Sequence, residues 1–312
     1  MCTAICYQTK AHYFGRNLDL ERGYGERVVV TPRSFPLAFR HREPLGYHNA
    51  MIGMAAVAMD YPLYFEATNE KGLSMAGLNF PKNAVYGAPL SGKQNVAPFE
   101  LIPYLLGLCD DLSDVRRALN ELQIVNVSFS REFAVTPLHW LIADKTGALT
   151  LECTSEGMQV YENPFGVLTN NPPFPYHQSC VEQYMSLHAG AAENRLSPAL
   201  ALGNHSLGLG AYGLPGDFSS ASRFVRAVFV KENSVSGGGE EESVNQFFHI
   251  LSSVAMPKGC VLTEGGEYEY TRYSSCCNTA TGTYFYTTYD DRRVRSVDMH
   301  AVDLFANTLS IF

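Results

Sequence analysis

The order in which strand and helix patterns follow one another constrains this chain most. Strand patterns fill its first third: Thr3–Thr9, the hairpin partner Ala11–Leu20, Arg27–Thr31 around Val28-Val29-Val30, Met51–Met59 and Leu73–Asn79. Ala97–Leu108 and Ser113–Leu122 then read as helices, with Pro98 suited to a first turn and Ser113 to an N-cap. Strand patterns return at His139–Ala143, Ala148–Cys153 and Met158–Tyr161. Helices are predicted at Cys180–His188, Ser219–Lys231 and Ser243–Met256, and strands again at Tyr268–Ser274, Thr283–Tyr289 and Val294–Met299. Blocks of strands and helices without βαβ alternation imply an α+β fold, in which the last strands can complete sheets begun by the first. The Gly/Ser/Glu tract at 234–243 reads as a loop. No linker, repeat or heptad run divides the chain, so residues 1–312 are expected to form a single domain.

Composition then excludes several function classes. Charged residues make up 17% of the chain against 46% hydrophobic, below the usual charged share of about 25%. Part of the surface is therefore expected to be covered, by oligomer contacts or an apolar ligand. The net charge of −8 argues against nucleic acid, whose partners carry a basic face. No apolar run approaches a membrane span. The start Met1-Cys2-Thr3-Ala4-Ile5 lacks a basic region, an apolar region and a cleavage site, which predicts a cytoplasmic protein. The eight cysteines form no C-x-x-C and no zinc-type cluster, so no metal and no cofactor is expected. Cys6, Cys109, Cys153, Cys180 and Cys260 are read as small buried apolar residues.

Cys2 is different because of its position. Loss of Met1 would leave a cysteine with a free α-amine, a nucleophile and a base in one residue. The amine titrates near 8 and the thiol near 8.5, so neither needs a large shift to work at neutral pH. Taken alone, a cysteine at position 2 specifies nothing. The next strand, however, carries Arg16 and Asp19 within an apolar and aromatic run. An arginine beside a thiol favours thiolate, and a carboxylate beside an α-ammonium orients it. The same pair would also serve as a surface salt bridge.

Cys2-Thr3, Phe14-Gly15-Arg16-Asn17-Leu18-Asp19, Asn69-Glu70-Lys71-Gly72-Leu73 and Ala76-Gly77-Leu78-Asn79-Phe80-Pro81 together resemble choloylglycine hydrolase, the conjugated bile acid hydrolase family of the N-terminal nucleophile hydrolases. Leu138-His139-Trp140, Leu168-Thr169-Asn170, Leu214-Pro215-Gly216-Asp217-Phe218, Ala221-Ser222-Arg223-Phe224, Phe247-Phe248-His249-Ile250-Leu251 and Tyr273-Ser274-Ser275-Cys276 extend the match in order over the whole chain. The resemblance implies a four-layer αββα sandwich and, commonly, a homotetramer from a gut bacterium. It implies cleavage of the C24 amide of glycine- or taurine-conjugated bile acids through an acyl-thioester on Cys2. In that scheme the α-amine is the base, Arg16 favours thiolate, Asp19 holds the amine and Asn79 is the oxyanion residue. Asn170, rather than its neighbour Asn171, binds the N-terminal residue or the reacting centre. Arg223 is the last site residue, and Arg226 is structural or solvated.

The family's apolar cleft would here be formed by Leu18, Ala58, Phe65, Phe129, Phe133 and Leu138. Ordinary core packing is the competing reading of each phenylalanine. Related penicillin V acylases share the mechanism, and several carry tyrosine at the position of Asn79, so Asn79 favours bile salts. Other N-acyl amides, or an oligomeric binding protein without turnover, are the remaining readings. Gly208-Leu209-Gly210-Ala211-Tyr212-Gly213 matches G-x-G-x-x-G but is followed by Leu214-Pro215-Gly216, against a dinucleotide site. His139 is read as structural, and Asp110-Asp111 and Glu240-Glu241-Glu242 as solvated charge.

Overall fold

A computed structural model describes residues 1–312. In chain order it has strands β1 (Cys2–Gln8), β2 (His12–Leu20), β3 (Arg27–Thr31), β4 (Met51–Ala58), β5 (Tyr61–Asn69), β6 (Ser74–Asn79) and β7 (Gln94–Val96). Helices α1 (Leu101–Leu108) and α2 (Leu112–Glu121) follow. Strands β8 (Leu122–Ile124), β9 (Leu138–Asp144), β10 (Gly147–Thr154), β11 (Gly157–Glu162) and β12 (Val167–Leu168) come next, then helices α3 (Phe174–Glu182), α4 (Ser220–Asn233) and α5 (Glu240–Ser252). Strands β13 (Tyr270–Asn278), β14 (Thr283–Thr288), β15 (Arg295–Asp298) and β16 (Ser310–Ile311) close the chain.

Two antiparallel sheets form the centre. One has the order β12-β1-β2-β13-β14-β15, the other β11-β10-β9-β6-β5-β4-β3-β16. The late strands β13 and β16 do pair with the early strands β2 and β3. Alternation along the strands divides the core in two. Val28, Val30, Ile52, Met54, Leu141 and Ala143 point to the layer between the sheets, together with Phe14 and Leu18 of the other sheet. Val29, Met51, Ala55, Trp140 and Ile142 point the other way and pack on Leu101, Leu105 and Val115 of α1 and α2. On the far side of the six-stranded sheet, α4 and α5 bury Phe224, Ala227, Phe247 and Leu251. The layer order is therefore αββα. No helix is long and apolar enough to cross a membrane.

Several sequence expectations shift. β5 has no counterpart in the strand pattern, because Pro62 and the buried Glu66 interrupt its apolar run. The third helix starts at Phe174, not Cys180, with Phe174 buried and a proline in its first turn, and it ends where Cys180–His188 was expected to continue. The second helix begins at Leu112. Its cap is Asp111, whose Oδ1 accepts from the Asp114 N–H at 3.0 Å, so Ser113 lies inside the first turn. The loop expected at 234–243 ends at Gly239: Glu240-Glu241-Glu242 is exposed charge, as expected, and forms the first turn of α5, where carboxylates favour the helix dipole. Cys260 is exposed and Cys6 and Cys180 are half-buried, whereas Cys109 and Cys153 are buried as expected. Gly208–Gly213 holds only a short 3-10 turn.

Gly15 has a steric reason. A Cβ there would lie 2.0 Å from the Ser275 carbonyl oxygen on β13, so the close approach of β2 and β13 beside Arg16 requires glycine.

Candidate active site

The β1–β2 hairpin sets the register of the site. Cys2 stands opposite Leu18, and Ala4 opposite Arg16. Successive side chains of a strand leave on opposite faces, so β2 sends Arg16 and Leu18 between the sheets and Asn17 and Asp19 towards the helices. The contacts follow this split. Arg16 Nη1 donates to the carbonyls of Phe65 at 3.0 Å and Gly77 at 2.6 Å on the facing sheet. Asn17 Nδ2 donates to the Leu251 carbonyl of α5 at 2.9 Å. Sequence spacing alone had placed Arg16 and Asp19 beside the same residue; the fold brings them to it from two sides.

Cys2 is buried. With Met1 attached, its nitrogen is a peptide N–H that donates to Asn170 Oδ1 at 2.7 Å. Asn170 is fixed at every polar group. Its Nδ2 donates to the Asn79 carbonyl at 2.7 Å, and its main-chain N–H donates to Ser220 Oγ at 2.8 Å. Its carbonyl accepts from His177 Nε2 at 2.8 Å, and Oδ1 also accepts from Arg223 Nη2 at 2.8 Å. Burial pushes His177 down to about 4, so it is neutral and Nε2 carries the proton that this contact requires. Asn171 turns away, donating to the Pro81 carbonyl and to Asn83 at 2.5 Å.

Arg223 enters from α4, fully buried. It donates to the Cys2 carbonyl at 2.5 Å, to Thr3 Oγ1 at 2.7 Å and to the Phe218 carbonyl at 3.0 Å. Asp19 accepts from Thr271 Oγ1 at 2.6 Å through Oδ1, while its buried Oδ2 has no hydrogen-bond partner and lies 4.0 Å from Arg223. Burial raises the Asp19 carboxyl, opposed by Arg223 and, with Met1 attached, by the Met1 ammonium. Burial pulls Arg16 down, but its acidic neighbours, Cys2, Glu66 and Asp19 among them, outweigh it and hold the guanidinium above its ordinary value. Arg226 is structural: it donates to the carbonyls of Ser253, Pro215 and Asp217.

Cys2, Arg16 and Asn79 open onto a cleft of about 360 Å³. Leu18, Phe65, Phe129, Phe133 and Leu138 line it as expected. Ala58 does not. It packs with the core under α1 and α2, and Ala56, two residues earlier on β4, lines the cleft instead. The aromatic wall is continuous: Phe129 meets Phe133 edge-on at 6.1 Å, and Tyr24 bridges Phe65 and Phe133 at 6.4 Å from each. No group of three His, Cys, Asp or Glu side chains lies close enough to hold a metal ion. His139, stacked on Phe80 at 4.3 Å, bonds Glu152 at 2.9 Å and the Thr169 carbonyl at 3.0 Å, one residue before Asn170.

Sequence reasoning missed Thr271, Ser220, His177 and Glu66. Glu66 is wholly buried near Arg16. Thr271, Ser220 and Glu66 are common residue types whose partners lie fifty or more positions away, and His177, seven residues from Asn170, carries no pattern that marks it; only Glu66, a charge inside an apolar strand, left a local trace.

An antiparallel αββα sandwich with a buried cysteine at the head of its first strand, its nitrogen held by an asparagine, is the arrangement of amide hydrolases that use their N-terminal residue as nucleophile. Comparison with known proteins narrows the class. The family model for linear amide C–N hydrolases, choloylglycine hydrolase family, matches residues 2–312, and the chain belongs to that family. It is 48% identical over 300 residues to a bile salt hydrolase/transferase of Lactiplantibacillus plantarum, covering 96% of this chain and 93% of that protein. It is 38% identical over 313 residues to a conjugated bile acid hydrolase of Lactobacillus gasseri, covering 99% of each. The crystal structure of the C2A mutant of conjugated bile acid hydrolase from Clostridium perfringens superposes with a TM-score of 0.91 at 33% identity, over 100% of this chain and 96% of that one. Penicillin V acylase from Agrobacterium tumefaciens, at 18% identity and a TM-score of 0.78, shares the fold, with 99% of this chain and 90% of that one covered.

Proposed function

We propose that this chain, after loss of Met1, hydrolyses the C24 amide of glycine- or taurine-conjugated bile acids. The observation that carries the reading is the convergence of Cys2 and Asn79 on one apolar cleft. The Cys2 thiolate adds to the amide carbonyl. Its α-amine takes the thiol proton and passes it to the leaving nitrogen as the C–N bond breaks. Glycine or taurine departs and an acyl-thioester remains, which water cleaves with the same amine as base. Asn79 donates to the oxyanion. Asn170 holds the α-nitrogen on one side. The unpartnered Asp19 Oδ2 is the acceptor for the α-ammonium. Arg223 fixes Cys2 through its carbonyl, and Arg16 supplies positive charge beside the sulfur. The steroid occupies the wall of Phe65, Phe129, Phe133 and Leu138, where apolar burial at about 25 cal/mol per Å² supplies most of the affinity.

The exposed apolar side chains Met185, Leu196, Leu202, Leu207 and Tyr212, between α3 and α4, support assembly of several copies, with a tetramer as the expected size; light scattering tests it.

The deciding experiment measures amine release from glycocholate, taurocholate and penicillin V, with Cys2→Ala as control and intact mass to establish Met1 removal. Cys2-dependent release mainly from the bile salts is expected. Release mainly from penicillin V would keep the chemistry and overturn the substrate. Release by Cys2→Ala would overturn the nucleophile.

A further inference from the structure

We propose that Glu66 is a positioning residue of this site: its carboxylate holds the Arg16 guanidinium and sets the proton affinity of the Cys2 thiol–amine pair. The proposal rests on Cys2 being the nucleophile.

Glu66 leaves the middle of β5 and is 1% exposed, in the layer between the two sheets. A carboxylate in such a place needs compensation for lost hydration. The opposite sheet provides it. Tyr273 and Ser275 of β13 and Tyr284 of β14 reach its two oxygens at 2.6, 2.9 and 2.5 Å, and Arg16 Nε stands 3.9 Å from Oε2.

The proton positions follow from the contacts. Tyr273 donates to Glu66 Oε2, and Tyr284, whose hydroxyl also has Ser275 beside it, donates to Oε1. Ser275 Oγ already accepts the Arg16 N–H at 3.2 Å, which leaves its own hydrogen for Glu66. Three hydroxyls and a guanidinium around one carboxyl favour its anion. Burial raises the carboxyl above its ordinary value, and Arg16, Tyr273, Tyr284 and Ser275 oppose it.

Two effects on the site follow. The first is geometric. The Phe65 carbonyl that receives Arg16 Nη1 belongs to the residue beside Glu66, so β5 holds the guanidinium by a backbone hydrogen bond and faces it with a carboxylate at 3.9 Å. Nη2 is left without a protein partner in a residue that lines the cleft with Cys2. The second effect is electrostatic. Arg16 favours loss of a proton from the thiol–ammonium pair, and Glu66 tempers it. Asp19 and Arg223 face Cys2 from the helix side. Tyr273, Tyr284 and Cys277 face Glu66, and burial keeps all three protonated, with Cys277 pushed up to about 12. These three therefore keep one charge state in the test below, and Asp19, raised by burial, is common to wild type and variants.

The test reads the pH dependence of Cys2 alkylation by iodoacetamide, scored by the mass of the N-terminal peptide, beside the pH profile of kcat/KM. Glu66→Gln is expected to move the acid limb of both to lower pH by about one unit, from one charge removed several ångströms away. Glu66→Asp, which keeps the charge, is expected to restore most of the wild-type limb. The Tyr273→Phe, Tyr284→Phe double variant strips two donors from the carboxylate and favours its neutral form. It is expected to shift the limb the same way, and it serves where Glu66→Gln does not fold. An unmoved limb in the folded variants, or equal shifts in Gln and Asp, overturns the proposal. Alkylation is read without turnover, so failure of Cys2 as nucleophile would show separately, as hydrolysis persisting in Cys2→Ala.

Discussion

Asn170→Asp separates the two tasks that converge on this residue. The substitution keeps side-chain size and the Oδ1 that accepts from Cys2 N at 2.7 Å and Arg223 at 2.8 Å. It replaces Nδ2, which donates to the Asn79 carbonyl at 2.7 Å, by a second oxygen. Two acceptors then face each other. The lost bond and the unpaired carbonyl cost about 2 kcal/mol, and the strain falls on the backbone of Asn79, the proposed oxyanion donor. If that cost appears in the transition state alone, kcat falls about thirtyfold at 1.36 kcal/mol per decade. The new carboxylate also sits against the α-nitrogen. A charge pair at about 3 Å with an effective dielectric of about 20 is worth about 5 kcal/mol, and Arg223 offsets part of it. The α-amine therefore holds its proton more tightly, and the acid limb of kcat/KM moves up. Steady-state kinetics on a conjugated bile salt from pH 4.5 to 8 reads both effects, with a urea melt to show an unchanged fold. A kcat within threefold of wild type with an unmoved limb would refute the assignment of Asn170 to both the α-nitrogen and Asn79. Near-additivity with Asn79→Ala would refute the claim that Asn170 acts through Asn79.

Three further outcomes follow from the structure. Phe133→Ala removes one aromatic face from the cleft, about 1 kcal/mol of apolar contact, so KM for a bile salt should rise about fivefold with kcat within twofold; a kcat-only effect would place Phe133 outside the steroid site. Gly15→Ala drives a Cβ to 2.0 Å from the Ser275 carbonyl and should cost about 3 kcal/mol in urea unfolding, with loss of activity because Arg16 is the next residue; a change under about 1 kcal/mol would show that β2 and β13 can part freely. Burial lowers His12 and His177 from 6.5 to about 4. The unfolded chain then binds more protons between these values, so this contribution is complete above pH 6.5 and is lost as pH falls towards 4, up to about 3 kcal/mol for each histidine. His177→Gln should lose stability less steeply than wild type across that window, as measured by urea midpoints; parallel curves would disprove the neutral-histidine assignment.

What was legible in the sequence divides along a physical line. Elements whose signal is local came through: β1, β2 and β3 from runs of β-branched and aromatic residues, and α4 and α5 close to their expected positions. The α+β class followed from their order, and the layer arrangement came from resemblance. Failures occurred where tertiary contacts override local preference. β5 carries a proline and a buried glutamate and is a strand because β4 and β6 flank it and the opposite sheet satisfies Glu66. The third helix is set by Phe174 burying its ring against Phe224 of α4, 50 residues on. The site shows the same division. Cys2, Arg16 and Asp19 lie on one hairpin, and strand periodicity already brings them near each other. Asn79, Asn170 and Arg223 came only through resemblance, because no local rule links residues on β6, after β12 and on α4. The partners that fix them, Ser220, His177 and Thr271, are ordinary polar residues whose importance lies in which buried atom each satisfies. Ala58 was misplaced for the opposite reason. On β4 alternation offers both Ala56 and Ala58, and it does not show that Ala58, at the strand's end, packs with the core under α1 and α2 and leaves the cleft to Ala56.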